Sequence, residues 1–193
     1  MGKSVYIIPY RYTNDNNNDS IEYLIARKNL YLPEHNKMKK CLANNGGQYV
    51  FIGGVAKRLS NTRDTATIEF FEETGEDCIK RSKLKIIYNS NNYIAYSIHI
   101  QDLNTDIINT NILMGNLHSL ELQKVLWVES NSLRKYFEVF EIEPWIRQQI
   151  STALDNGFDT QEINDRLYDS NDWYINIIRH LLNKNSNKQH FNY

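Results

Sequence analysis

The stretch GGVAKRLSNTRDTATIEFFEETG, residues 53–75, decides how the rest of the chain is read. Gly53 and Gly54 free the backbone for a tight loop, Asp64 or Thr65 is placed to cap a helix, and Gly75 can take the left-handed conformation that ends one. The segment therefore reads as loop, short helix and stop. Within the helix Glu69, Glu72 and Glu73 stand at i, i+3 and i+4, which puts three carboxylates on one face. Like charges at that spacing repel, so the face is either open to water or built around a cation. A charged helix face on its own reads as a solvated one; the glycines upstream and the Thr74-Gly75 stop favour a site instead. Ala66, Phe70 and Phe71 make the apolar counterpart, predicted to turn inward against a sheet. Hard oxygen ligands on a rigid helix beside a glycine loop suit Mg²⁺ (or Mn²⁺), which takes few protein carboxylates and keeps waters that a phosphate can displace.

The same residues resemble the Nudix box, which that family writes as G, five residues, E, seven residues, R-E-U-x-E-E-x-G-U, with U aliphatic. Gly54, Glu69, Phe70, Glu72, Glu73 and Gly75 fall in its register. Ser60 stands where its first glutamate belongs, Ile68 at its arginine and Glu76 at its last aliphatic. The resemblance implies an α+β fold of Nudix type, an α/β/α sandwich with a mixed β-sheet, over residues 1–140. It implies Glu69 and Glu73 as main metal ligands, with Glu72 completing the acidic cluster, the Gly54 carbonyl contributing, and Glu72 and Glu73 serving catalysis. A carboxylate in the loop before the sheet-closing strand often supplies the last ligand or the base in this family. Glu121 is best placed for that here, with His118 second.

Arg27, Lys57 and Tyr93 are the expected substrate contacts. Tyr93, eighteen positions past Gly75, lies in a region that helps set substrate class in Nudix enzymes. A proline there accompanies ADP-ribose activity and a tyrosine dinucleoside polyphosphate activity, and no proline occurs between Gly75 and Gln101. By residue type alone Tyr93 is an ordinary strand residue. Ile68 cannot orient neighbouring glutamates as an arginine does, and such losses typically cost about 10- to 100-fold. Because Ser60 and Ile68 together remove both members of a candidate charge pair, no orphan charge is left behind.

The function implied is Mg-dependent hydrolysis of a phosphoanhydride bond in a nucleoside diphosphate derivative: a nucleoside or dinucleoside polyphosphate, a nucleotide sugar or an RNA cap. The alternative is a catalytically weak module of the same fold that binds a nucleotide or RNA, using some of the many tyrosines as stacking platforms. An interaction protein gripping a partner with its C-terminal helices is a third reading. Glu73 is expected to be exposed, so that its replacement by Gln would silence turnover without unfolding the domain.

At 193 residues the chain suffices for one good core, and its net charge of -1 offers no bulk attraction to nucleic acid or an acidic membrane. Cys41 and Cys78 lie far apart with no C-x-x-C, which argues against a disulfide scaffold or zinc site and suits a reducing compartment. No apolar run reaches membrane-spanning length and the start lacks a signal-peptide pattern, so no membrane partner and a cytoplasmic setting are expected. Nothing in the sequence speaks to oligomeric state.

Along the chain, residues 5–12 and 21–27 read as strands joined by an Asn-rich loop. Residues 28–47 read as an irregular insertion whose Lys37, Lys39 and Lys40 are either solvated or a phosphate-meeting lid. Residues 48–52 are predicted to be the strand delivering the glycine pair, and 84–88, 93–100 and 125–129 further strands. Residues 102–117 read as polar and irregular around Ile107, Ile108, Ile112 and Leu113. From Glu143 onward three amphipathic helices are predicted: Pro144 opens the first, Asp159 or Thr160 caps the second and Asp172 the third. Residues 141–183 are thus a C-terminal helical extension packed on the domain, and 184–193 a frayed tail.

Overall fold

An apolar run without polar alternation, Val5, Tyr6, Ile7 and Ile8, lies in β1 (Lys3–Asp15), and all four side chains are buried. That is the pattern of a strand covered on both faces. The computed structural model describes residues 2–15, 18–35, 39–57, 60–115, 117–170 and 172–189. After β1 come β2 (Asn18–Lys28), a short pair β3 (Tyr31–Leu32) and β4 (Cys41–Leu42), then β5 (Tyr49–Val50), β6 (Ile52–Ala56) and α1 (Thr62–Thr74). A 3-10 turn (Arg81–Lys83) leads to β7 (Lys85–Asn89), β8 (Tyr93–His99), α2 (Thr105–Met114) and β9 (Leu122–Glu129). The described residues end with α3 (Leu133–Glu138), α4 (Pro144–Asp155), α5 (Thr160–Leu167) and α6 (Asp172–Gln189).

β1 is shared along its length. Its first half pairs antiparallel with β6 (Tyr6 opposite Gly53), its second half antiparallel with β2 (Tyr10 opposite Tyr23), and it runs parallel to β8 (Tyr6 beside Ala95). β2 in turn carries β5 and β9, both antiparallel, and β7 closes the far edge on β8. The result is the mixed sheet expected of the α+β class. Its two faces are covered by different helices. Tyr96 projects towards α1, its hydroxyl 2.6 Å from Thr62 Oγ1, while Tyr6, one step out of phase, meets Tyr174 of α6 with ring centroids 5.7 Å apart.

The main core unites the sheet with Ala66 and Phe70 of α1, Ile108 of α2, Phe137 of α3 and Tyr174, Ile177, Ile178 and Leu181 of α6. A smaller cluster joins Leu30 to Ile146, Ala153, Ile163 and Leu167 of α4 and α5. The last helix is therefore part of the main core, and α4 and α5 are the satellite. Among the described residues no helix is long and apolar enough to cross a membrane.

Several local expectations change. Asn61, not Asp64 or Thr65, caps α1: its side chain accepts from the Arg63 amide at 2.9 Å. Phe71 is 39% exposed and faces His118 instead of the sheet, because one apolar stripe of a 13-residue helix already fills the interface. The glycine pair lies inside β6 and not in a loop beyond it. Residues 28–47 contain the β3–β4 pair, and Lys40 Nζ donates to the Asn156 carbonyl at 2.9 Å, tying this segment to the end of α4; Lys37 lies outside the described residues. Residues 105–114 are helical, with Asn104 as N-cap and Gly115 in the left-handed conformation as C-cap. α6 runs on to Gln189, past the predicted start of the tail.

Candidate functional site

Gly75 stops α1 at φ 76°, its amide donating to the Phe71 carbonyl, so the helix ends where it meets β6 and the segment before β9. This stop sets Glu69 and Glu73 against the glycine pair. A Cβ at residue 54 would meet the Glu69 carboxylate and push it aside, so the glycine lets that carboxylate lie against the β6 backbone. Glu73 Oε2 accepts the Gly53 amide at 3.2 Å. Both carboxylates line a cleft of about 820 Å³, together with Gly53, Gly54, Glu121 and Lys28. Tyr6 and Tyr93 from the sheet, Asn44 and Asn45 from the segment after β4, and Asp169, Ser170 and Tyr174 from the C-terminal region complete it. That volume is within the range of small-molecule sites.

Burial governs the electrostatics. Glu73, expected to be exposed, is 3% exposed, and desolvation pushes its carboxyl up to about 8; Lys28 opposes the rise, and Glu121 and Glu69 add to it. Glu69, half-buried, is raised by burial first and then by the charges of Glu72 and Glu121. Burial likewise lifts the Tyr6 hydroxyl to about 12. Lys28 Nζ lies 2.5 Å from Glu121 Oε2 and is the lysine of this acidic cleft. Among the described residues no three acidic, histidine or cysteine side chains converge closely enough to grip an ion. The donors nonetheless fit a hard cation by type: carboxylates beside the backbone of a glycine pair, with the Glu69 and Glu73 carboxyls both raised by burial first and by neighbouring carboxylates, a shift that the charge of a divalent ion would oppose.

The structure brings Gly54, Glu69, Glu73, Glu121 and Tyr93 of the predicted site into one cleft. Glu72 sits on the same helix next to it, its carbonyl accepting the Ser119 amide at 3.1 Å and so tying α1 to the segment that carries Glu121. Lys57 is exposed and does not line the cleft. Arg27 is a correction: it is 2% exposed, points away from the cleft and is spent on architecture. Its guanidinium donates to the carbonyls of Gly47 at 2.9 Å and Glu141 at 3.1 Å, pairs with Glu143, and lies over the rings of Tyr49 and Trp145. His118 stands against Phe71 outside the cleft. Of the positions at which the sequence departs from the pattern it resembles, Ile68 is 54% exposed on α1, and Ser60 caps the turn before it, bonding the Lys57 carbonyl and the Thr65 hydroxyl.

Sequence reasoning missed Lys28, Asn44, Asn45, Asp169, Ser170 and Tyr174. Lys28 was legible in principle: in a strand, the neighbour of an inward cation faces the other way, and the β2–β9 register shifts between Arg27 and Lys28. The others come from segments without a motif.

No protein-family model matches the chain, and no curated protein matches it by sequence. Among solved structures it is similar to a MutT/Nudix family protein from Listeria innocua, at 12% identity over 80% of this chain and 95% of that one, with a TM-score of 0.48. It is similar to a C. elegans Ap4A hydrolase in a binary complex, at 16% identity over 81% and 99% of the two chains (TM-score 0.42). A third is the NUDIX domain of Shewanella oneidensis NrtR complexed with ADP ribose, at 9% identity over 80% and 90% (TM-score 0.41).

Proposed function

We propose that the protein is a Nudix-type pyrophosphohydrolase that cleaves a phosphoanhydride bond in a nucleoside diphosphate derivative with the help of Mg²⁺ or Mn²⁺. The observation that carries this reading is the meeting of Glu69, Glu73 and Glu121 with the glycine pair and Lys28 in one cleft large enough for a nucleotide. Glu69 and Glu73, with Glu72 nearby and the Gly54 carbonyl, are the residues that would hold the ion. When bound, a divalent ion neutralises the pyrophosphate oxygens and lowers the pKa of a water. The chain's own groups do the rest. Glu121 takes the proton of the attacking water, and Lys28, paired with it, positions its side chain and offers hydrogen-bond donors to the phosphates. Tyr93 and Tyr6 supply apolar and hydroxyl surface to the nucleoside. The free thiols of Cys41 and Cys78 accord with a cytoplasmic setting.

A panel of nucleoside polyphosphates, dinucleoside polyphosphates, nucleotide sugars and capped RNA, assayed with Mg²⁺ and with Mn²⁺, should reveal metal-dependent release of phosphate-bearing products. Glu73→Gln should lower kcat by at least about 100-fold while the protein stays folded, since a neutral amide suits this buried position. Full turnover in that variant would overturn the assignment.

A second reading is a weakly catalytic module that binds a nucleotide or RNA. It draws on the absence of a converging ligand group among the described residues and on Ile68 at the supporting cation's position. Tight nucleotide binding with no product on the whole panel would select it.

A further inference from the structure

We propose that Asp169, in the turn between α5 and α6, is the sugar-reading group of the cleft and accepts hydrogen bonds from the two hydroxyls of a ribonucleotide's ribose. This rests on the reading of the cleft as a nucleotide site. Asp169 and Ser170 line the same cavity as Glu69, Glu73 and Glu121, yet they belong to a part of the chain that matches no motif.

The turn is held by its backbone. Gln48 Nε2 donates to the Asp169 carbonyl at 2.9 Å and to the Leu167 carbonyl at 2.8 Å, and Asn45 Nδ2 reaches the Asp169 carbonyl at 3.5 Å. Gln48 is 7% exposed, and Asn45 keeps φ at 56°, a conformation that costs a non-glycine residue energy and persists where its surroundings impose it. Three side-chain bonds therefore fix the turn without using the Asp169 carboxylate. Asp169 as a residue is half-buried, and its carboxylate enters none of the ion pairs of the described residues.

A carboxylate only accepts, and among the described residues no side-chain donor is bonded to this one. Phosphate oxygens would be repelled by it, and the lysine of the cleft stands beside Glu121. A vicinal diol offers two O–H donors at the spacing of the two carboxylate oxygens, which is how acidic residues recognise ribose elsewhere in nucleotide chemistry. The chain from 141 onward then contributes specificity to the cleft as well as packing.

The test uses the full chain. Equilibrium binding of the four ribonucleoside triphosphates and their 2′-deoxy counterparts is measured by calorimetry on the Glu73→Gln protein, alone and with Asp169→Ala or Asp169→Asn added. Hydrolysis of the same pairs is measured on wild type. Ribonucleotides should bind roughly tenfold more tightly than deoxyribonucleotides, and Asp169→Ala should bring the ratio to about one. Circular dichroism checks that each variant is folded, and Mn²⁺ binding is titrated in parallel on wild type and on Asp169→Asn alone, where Glu69 and Glu73 are intact.

A ratio near one in the parent, or one unmoved by either Asp169 substitution, overturns the assignment. Loss of Mn²⁺ binding in Asp169→Asn with the ribose preference intact overturns it in favour of a metal ligand. Ribose preference with no hydrolysis of these or of any other compound of the wider panel supports this inference while removing the hydrolase reading. Equal hydrolysis of both sugars does the reverse, and failure of the wild-type protein to bind any compound of the wider panel removes both.

Discussion

Ile68 precedes Glu69 on α1, at the position where the proposed function would want a cation to steer the glutamates, and it is largely exposed, so a longer charged side chain meets no packing obstacle there. On α1 it lies four residues before Glu72, a spacing at which opposite charges attract. Ile68→Arg should therefore raise kcat/KM on the best substrate of the panel by about 10- to 100-fold and change stability by less than about 0.5 kcal/mol. Adding Ser60→Glu should increase the gain more than additively, since the two would form a pair. Steady-state kinetics on the two single variants and the double variant checks this. The pair Arg27 and Lys28 shows how finely such a reading divides: adjacent cations on one strand, one buried under α4 and the other in the cleft. Residue type pointed to either, and strand parity chose between them.

At the scale of elements, Arg27 joins β2 to the start of α4. Its bonds to Gly47 and Glu141, its pairing with Glu143 and its place between Tyr49 and Trp145 make it a clamp. Arg27→Met should lower stability by about 3 kcal/mol in chemical denaturation, at the low end for a broken buried pair because Glu143 keeps access to water, and leave KM unaltered. The clamp also fixes a pH dependence. Burial would raise the Glu143 carboxyl, but the Trp145 indole N–H and the Arg27 charge outweigh it and hold the carboxyl below its ordinary value of 4.5. A group lowered in the folded state contributes stability above its unfolded pKa and loses it as pH falls through the folded one. Stability should therefore decline below about pH 4.5, and Glu143→Gln should flatten that part of the curve in thermal melts taken at several pH values.

α2 shows what local signals do and do not convey. Asn104 and Gly115 are good cap residues and stood in the sequence, but the Asn and Thr residues between them favour loops on propensity, and burial of Ile108 against β9 overrides that preference.

On the scale of the whole molecule, the chain leaves the sheet after β9, builds a satellite core with α4 and α5, and returns as α6 to finish the main core. The return also brings Asp169, Ser170 and Tyr174 to the cleft. Ile177→Ala, at a fully buried position of α6, should cost about 2–5 kcal/mol, and its effect should appear as loss of nucleotide affinity at temperatures where the variant begins to open. Melting curves with and without ligand measure both.

What the amino-acid sequence determined by itself was whatever lies within a few residues of a strong local pattern: the strands from periodicity, the helix bearing Glu69 and Glu73 from spacing and its glycine stop, and the later helices from their apolar stripes. These depend on neighbours along the chain, which the sequence lists directly. The tertiary structure alone decided that Glu73 is buried, that Lys28 and not Arg27 faces the carboxylates, and that the turn at Asp169 closes the cleft. Each of those facts is a matter of desolvation or contact between segments more than a hundred residues apart or on opposite sides of a strand, and burial is a property of the assembled chain.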